Sequence, residues 1–235
     1  MGGARSIRKQ SKQGVRMNRI ANVLAVAALS LASALSVAHA EEQKIAKADA
    51  ARGETLFNAG VPANGVPACT SCHGAGGNSA MNVNPKLAGQ HAEYIEKQLK
   101  DFKAKTDRNH AVMSLYAGAL SDQDMKDIGA YLGKQAAWKP GSAKSKDTIE
   151  LGQKLYRGGD AKRGIAACAG CHGPTGAGIP AQYPRIAGQF SEYTEAQLVA
   201  FQNGTRKNSV QMHDLANRMT TEQIKAVADY IAGLR

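Results

Sequence analysis

Residues 69–73 read Cys-Thr-Ser-Cys-His, and residues 168–172 read Cys-Ala-Gly-Cys-His. The two copies of Cys-x-x-Cys-His lie 99 positions apart in a chain of 235 residues. Their four cysteines are the only cysteines in the chain, so none is left for a disulfide or a thiolate nucleophile. The repeat therefore points to two sites of one kind, each with its own cysteine pair and histidine.

The motif is the attachment signature of c-type haem. The two thiols of each pair add across the vinyl groups of a porphyrin, and the histidine that follows is the proximal iron ligand. A structural zinc site would have closer pairs without a histidine fixed to each, and a thioredoxin-like pair lacks the trailing histidine. We predict thioether bonds at Cys69, Cys72, Cys168 and Cys171, and iron ligation by His73 and His172.

The 99-residue offset extends well beyond the cysteines, without a gap, from about residue 50 to the C-terminus. An internal duplication of this length predicts two similar domains in tandem, each with its own core. We expect domains at residues 41–137 and 148–235, joined by a linker at 138–147. Matched residues include Gly53 and Gly152, Phe57 and Tyr156, Tyr94 and Tyr193, Gln98 and Gln197, and Phe102 and Phe201.

The duplication also selects a second iron ligand for each site. Of seven methionines only Met113 and Met212 coincide under the shift, each 40 residues after its haem histidine, and no other histidine finds a histidine partner. We predict that Met113 ligates the first iron and Met212 the second. We expect Met81, Met125 and Met219 to fill the core.

A glycine-rich stretch follows each motif, and a proline recurs in it twelve residues after the histidine. These prolines are Pro85 and Pro184. A flexible loop is the simplest explanation of the glycines, but the equal spacing predicts that each proline carbonyl accepts the Nδ1 proton of His73 or His172. Such a bond fixes the ring and raises its basicity toward iron.

Helical patterns recur in both copies, and no run of alternating apolar residues predicts a strand. Tyr94, Gln98 and Phe102 lie four residues apart on one face of a middle helix. Ser121 and Thr220 begin the last helix of each copy in the manner of a capping box. Each half is therefore predicted to be a small all-α domain around one porphyrin, with Gly53 and Gly152 permitting close helix crossings.

The first forty residues have the features of an export signal. Six basic residues lie within residues 1–19, an apolar run follows to about Val37, and Ala38-His39-Ala40 provides a small-x-small cleavage site. We predict a cleaved signal peptide at 1–40, with Met1 or Met17 as the start, and a periplasmic protein. An uncleaved membrane anchor is the alternative, and peripheral membrane association remains open.

The formal charge of +11 includes those six basic residues of the leader. The remaining lysines are scattered rather than clustered on one aromatic-rich face, so we expect no nucleic-acid partner. The lysines of residues 139–146 are interpreted as a solvated linker.

These motifs resemble class I cytochrome c, and the tandem stretches NPKLAGQ (84–90) and YPRIAGQ (183–189) resemble the dihaem cytochrome c4 family. The resemblance covers essentially the whole chain after the leader. It implies two domains related by a pseudo-twofold axis, haems that face each other, and electron delivery to a respiratory terminal oxidase. The implied donor is a membrane quinol-oxidising complex or a dehydrogenase.

The ligand pattern itself favours an electron carrier, because an iron with two protein axial ligands has no open position for substrate. One alternative is an enzyme, either a dihaem peroxidase or a thiosulfate dehydrogenase. The first needs an open haem, and the second resembles His/Cys ligation, for which no cysteine remains. The other alternative is a haem subunit of a dehydrogenase complex, such as a flavocytochrome, which the residues leave open.

Overall fold

Within residues 46–235, ten α-helices occur in two successive sets of five, and the start of each helix in the second set lies 99 residues after its counterpart. The computed structural model describes residues 46–235, so the predicted signal peptide lies outside the described residues. The first set is α1 (Ala50–Ala59), α2 (Thr70–His73), α3 (Ala92–Ala104), α4 (Ala111–Gly118) and α5 (Asp122–Lys134). The second is α6 (Ile149–Gly158), α7 (Ala169–His172), α8 (Ser191–Gln202), α9 (Val210–Asn217) and α10 (Thr221–Gly233).

The all-α prediction is confirmed for this part of the chain. Between residues 46 and 235 the only β-type pairings are isolated bridges, and no sheet forms. Nor does any helix in that range have both the length and the hydrophobicity needed to cross a membrane.

A glycine lies at the point where the first and last helices of each set cross. A Cβ atom on Gly53 would lie 1.9 Å from the carbonyl oxygen of Asp127, and one on Gly152 would lie 2.3 Å from that of Ala226. Both distances are far below van der Waals contact, so no side chain fits between the helix backbones. The predicted close crossings of α1 with α5 and of α6 with α10 are therefore confirmed.

Each set of helices encloses its own apolar core. An aromatic pair joins the first and last helices in both halves, with ring centroids 5.6 Å apart for Phe57 and Tyr131 and 5.6 Å for Tyr156 and Tyr230. The buried residues form two separate clusters, one from residues 57–132 and one from residues 155–234. Two cores are what a tandem duplication requires.

The last helix of each half begins with the predicted capping box. The Ser121 hydroxyl accepts from the amide of Asp124, whose side chain accepts in return from the Ser121 amide over 2.8 Å. Thr220 and Gln223 make the same exchange in the second half. These contacts satisfy amide groups that the helix itself leaves free, and they fix where α5 and α10 begin.

The connection between the halves is less exposed than its composition suggests. Trp138 is only 4% exposed, and its indole nitrogen donates to the carbonyl of Ala187 over 2.6 Å. The amides of Lys144 and Ser145 donate to the carboxylate of Asp229 over 2.9 and 3.0 Å. The prediction of an exposed connection is therefore wrong for Trp138, because an indole ring gains more from burial than lysine and serine do.

Candidate functional site

Each Cys-x-x-Cys-His motif forms a single helical turn, α2 or α7. The amide of His73 donates to the carbonyl of Cys69 over 2.9 Å, and the amide of His172 donates to that of Cys168 over the same distance. The two cysteines of a pair are therefore one helical turn apart, and the histidine directly follows the second cysteine. Both histidine side chains are buried, whereas Cys72 is exposed.

The histidine of each motif lies within hydrogen-bond distance of a proline carbonyl. Nδ1 of His73 lies 3.0 Å from the carbonyl oxygen of Pro85, and Nδ1 of His172 lies 3.0 Å from that of Pro184. A carbonyl only accepts, so Nδ1 carries the proton and Nε2 keeps its lone pair for a metal. Burial lowers the pKa of both imidazoles, which favours the neutral form that ligates.

The loop that carries each proline is held against the haem motif by backbone bonds. The amide of Leu87 donates to the carbonyl of Gly77 over 2.8 Å, and the amide of Ile186 donates to that of Gly176 over 2.9 Å. Gly77 has a φ of 82°, a left-handed value that disfavours any residue with a Cβ atom. The glycines therefore serve a defined loop conformation rather than general flexibility.

Met113 and Met212 occupy the same position in two helices of eight residues, α4 and α9. The amide of Met113 donates to Nδ1 of His110 over 3.3 Å, and the amide of Met212 donates to Oγ of Ser209 over 3.3 Å. Both caps fix the first turn of the helix on which the methionine lies. Both methionines are half-buried at the edge of their cores.

The other three methionines of residues 46–235 divide differently from the prediction. Met125 is fully buried and Met219 is 7% exposed, which confirms their role as core residues. Met81 is 47% exposed, so its assignment to the core is wrong. It lies in the loop after α2, where Ser79 accepts from its amide over 3.1 Å and holds the chain in a turn at the surface.

Each core carries half-buried apolar side chains at matched positions of the two halves, and a porphyrin is a group that such side chains would suit. Because these side chains are only partly buried, a flat apolar macrocycle could cover the surface that they leave exposed. In addition, Nε of Arg185 is buried without a hydrogen-bond partner among the described residues, and it would suit a haem carboxylate. The matched pairs are Cys69 and Cys168, Leu87 and Ile186, Met113 and Met212, and Tyr116 and Leu215.

The predicted site residues thus fall into two separate groups, one per half. Sequence reasoning missed the residues that connect the halves. Gln90 and Gln189 each bond to the proline loop of the opposite half, and Arg108 and Arg206 each bond to a tyrosine there. For the two glutamines, the available signal was that glutamine recurs at the end of the matched stretches 84–90 and 183–189.

Comparison with known proteins agrees with this geometry. The cytochrome c family matches the chain twice, over residues 50–136 and 149–235. Cytochrome c4 of Thiocapsa roseopersicina is 43% identical over 176 residues, which cover 73% of this chain and 88% of that protein. The thiosulfate dehydrogenase electron acceptor of Stutzerimonas stutzeri strain A1501 is 37% identical over 193 residues, covering 80% and 88%.

A solved structure shares the arrangement of both halves. The crystal structure of reduced recombinant cytochrome c4 from Pseudomonas stutzeri superimposes with a TM-score of 0.72 at 36% identity. The match covers 80% of this chain and all of the crystallised one.

The fold and the paired sites define a dihaem c-type cytochrome, with one class I cytochrome c domain in each half. The chain belongs to the cytochrome c4 family. It accordingly carries two covalently attached haem c groups and transfers electrons.

Proposed function

We propose that this cytochrome is a periplasmic one-electron carrier that delivers electrons to the terminal oxidase of a respiratory chain. One observation carries the assignment as an electron carrier: the same arrangement of buried histidine, proline carbonyl and helix-borne methionine is built twice. Nδ1 of His73 and of His172 lies 3.0 Å from its proline carbonyl, and Met113 and Met212 occupy equivalent helix positions.

Each half would hold its haem with the residues predicted from the sequence. Cys69, Cys72, Cys168 and Cys171 would form the thioether bonds. When bound, the haem supplies an iron that changes its charge by one electron. His73 with Met113, and His172 with Met212, would be the side chains that hold the two irons. Pro85 and Pro184 would keep the histidines in one orientation, so that little rearrangement accompanies a change of charge.

The domain limits and the location belong to the same proposal. We assign residues 41–137 and 148–235 to the two domains and 138–147 to the linker, which the two family matches at 50–136 and 149–235 support. Residues 1–40 would be removed during export. Attachment of haem outside the cytoplasm is consistent with this, and peripheral contact with the membrane would bring the carrier close to its partners.

The donor has a specific candidate because of one similarity. A relative covering most of this chain is named a thiosulfate dehydrogenase electron acceptor. We therefore consider thiosulfate dehydrogenase, beside a quinol-oxidising complex, as a source of electrons. The chain would then accept electrons from the enzyme rather than oxidise thiosulfate itself, because all four cysteines are taken by haem attachment.

Kinetic measurements with purified partners test the proposal. The reduced protein is mixed with membranes that contain terminal oxidase, and the oxidised protein is mixed with thiosulfate dehydrogenase and thiosulfate. We expect rapid haem oxidation in the first experiment, coupled to oxygen consumption. Reduction in the second identifies the donor. Oxidation no faster than in membranes inhibited with cyanide would contradict delivery to the oxidase, and co-purification with a flavoprotein would favour a dehydrogenase subunit.

A further inference from the structure

One buried glutamine extends from each half of the chain into the proline loop of the other half. Gln189 donates from Nε2 to the carbonyl of Lys86 over 3.0 Å, and its Oε1 accepts from the amide of Lys86 over 3.1 Å. Gln90 makes the same two bonds to Arg185, over 2.8 and 2.9 Å. Gln90 is 5% exposed and Gln189 is 7% exposed, so water does not compete for these contacts.

The residues that these glutamines contact follow directly after the two prolines. The amide of Lys86 and the carbonyl of Pro85 belong to one peptide group, and that carbonyl accepts from Nδ1 of His73. One planar peptide therefore connects a histidine of the first half to Gln189 of the second half. The peptide between Pro184 and Arg185 provides the mirror connection, from His172 to Gln90.

We propose that Gln189 and Gln90 are positioning residues, each of which sets the reduction potential of the haem in the opposite half. The inference rests on the iron ligation by His73 and His172 proposed above. A peptide that donates through its N–H becomes a stronger acceptor at its carbonyl, because hydrogen bonds in a chain polarise one another. Gln189 thereby strengthens the bond from His73 to Pro85.

A stronger bond at Nδ1 makes the imidazole a better donor to iron and stabilises the ferric state. Loss of the Gln189 acceptor should therefore raise the potential of the haem on His73 and leave the haem on His172 unchanged. We expect the ferric-to-ferrous ratio of the first haem, at a fixed ambient potential, to fall about threefold. This corresponds to about 28 mV at 59 mV per decade for one electron.

The experiment compares Gln189→Met and Gln90→Met in the full-length holoprotein, since methionine keeps the side-chain length but removes both hydrogen bonds. A redox titration is followed by NMR through the ε-methyl signals of the two ligating methionines, assigned with Met113→Ala and Met212→Ala. We expect Gln189→Met to shift the titration reported by Met113, and Gln90→Met to shift the one reported by Met212. The proposal is overturned if the potential shifts at the haem of the half that contains the substituted glutamine, or if it shifts equally at both haems.

Tyr193→Phe is the matched control. It removes a 3.1 Å bond from Arg108 across the same interface without touching either proline loop. We expect Tyr193→Phe to leave the reduction potentials of both haems unchanged. A shift at one haem equal to that of Gln189→Met would show that any damage to the interface changes the potential, and it would contradict the proposal.

The wild-type protein provides a test that does not depend on the folding of a variant. A scalar coupling between the Lys86 amide nitrogen and the Gln189 side-chain carbonyl carbon should be measurable in labelled ferrous protein, and its absence contradicts the proposed connection. Failure of the underlying histidine ligation would look different, because the imidazole proton signals of His73 and His172 would then lack the large ring-current shifts that a ferrous haem gives to its ligands.

Discussion

Arg108 donates a hydrogen bond to the phenol oxygen of Tyr193 over 3.1 Å, although the two residues belong to different halves of the chain. Arg206 reciprocates by donating to the phenol oxygen of Tyr94 over 3.1 Å. Both arginines are buried, and the acceptors that they reach among the described residues are phenols and amides rather than carboxylates. At these two positions of the interface, charged donors therefore bond to neutral acceptors.

Removal of one arginine should weaken this interface. Arg108→Ala leaves the Tyr193 hydroxyl and the Gln98 amide oxygen without one of their donors, so we expect the free energy of unfolding to fall by about 2–3 kcal/mol. Equilibrium denaturation with urea measures the change. Lys207→Ala is the control, because Lys207 matches Arg108 under the 99-residue shift but is exposed. Its effect should stay within about 0.5 kcal/mol, and equal losses in the two variants would contradict the assignment.

The helix crossing in the second half predicts opposite effects for two glycines of α6. Gly152→Ala would place a Cβ atom 2.3 Å from the carbonyl oxygen of Ala226, so we expect a loss of about 3 kcal/mol. Gly158→Ala meets nothing within 4 Å and should gain about 0.5–1 kcal/mol, since alanine restricts the unfolded chain. Thermal unfolding of both variants checks the signs. Similar losses would mean that helix packing is not the cause.

Acid should destabilise the first half before the second. Burial raises the pKa of Asp127, but bonds from the Asp49 amide, Arg52 and Gln123 outweigh it and hold the pKa below its ordinary value of 3.8. A carboxyl whose pKa is lower in the folded state than in the unfolded state stabilises the fold fully at pH values above its unfolded-state pKa. This stability is lost as the pH falls through the folded-state pKa.

The second half has Ala226 in place of Asp127, so it lacks this acid-sensitive contact. We expect Asp127→Asn to cost about 1.5–3 kcal/mol at neutral pH and to flatten the pH dependence of unfolding below the ordinary carboxyl pKa of 3.8. Denaturation at a series of pH values, followed by backbone signals from each half, makes the measurement. A steeper acid loss in the second half would overturn the prediction.

The distal ligands can be tested by their optical signature. Met113→Ala and Met212→Ala should each remove about half of the thioether-to-ferric-iron absorption near the red end of the visible spectrum. Met125→Leu and Met219→Leu are the controls. As changes of similar volume in the core they should leave the band intact and cost less than about 1.5 kcal/mol. Loss of the band in Met219→Leu or in Met81→Ala would show that the ligand assignment is wrong.

Most of the local structure was predictable because it repeats. Whether a position requires a small residue or a helix cap depends on only a few neighbouring residues. In a duplicated chain the same requirement therefore appears at matched positions of both copies. Gly53 with Gly152 and Ser121 with Thr220 were identified in this way. The bond from each haem histidine to its proline was predicted from an equal spacing of twelve residues.

The contacts between the halves were not predictable from the same signal. In the sequence, the shift of 99 matches Arg108 with Lys207. In the structure, the isolated backbone bridge between the two halves pairs Arg108 with Arg206, which is one position before Lys207. Only the folded loops show this displacement. Gln90 and Gln189 recur under the shift, but recurrence does not say which half a side chain contacts. The burial of Trp138 likewise depends on a carbonyl 49 residues away.

The burial of Trp138 also gives the molecule an intrinsic optical reporter. It is the only tryptophan in the chain, and its indole bonds to the residue directly after Ile186, at the edge of the second core. Fluorescence from this ring would be quenched by energy transfer to a nearby porphyrin. Recovery of the emission would therefore signal either release of the linker or an empty second half, so stopped-flow fluorimetry can follow maturation of that half in real time.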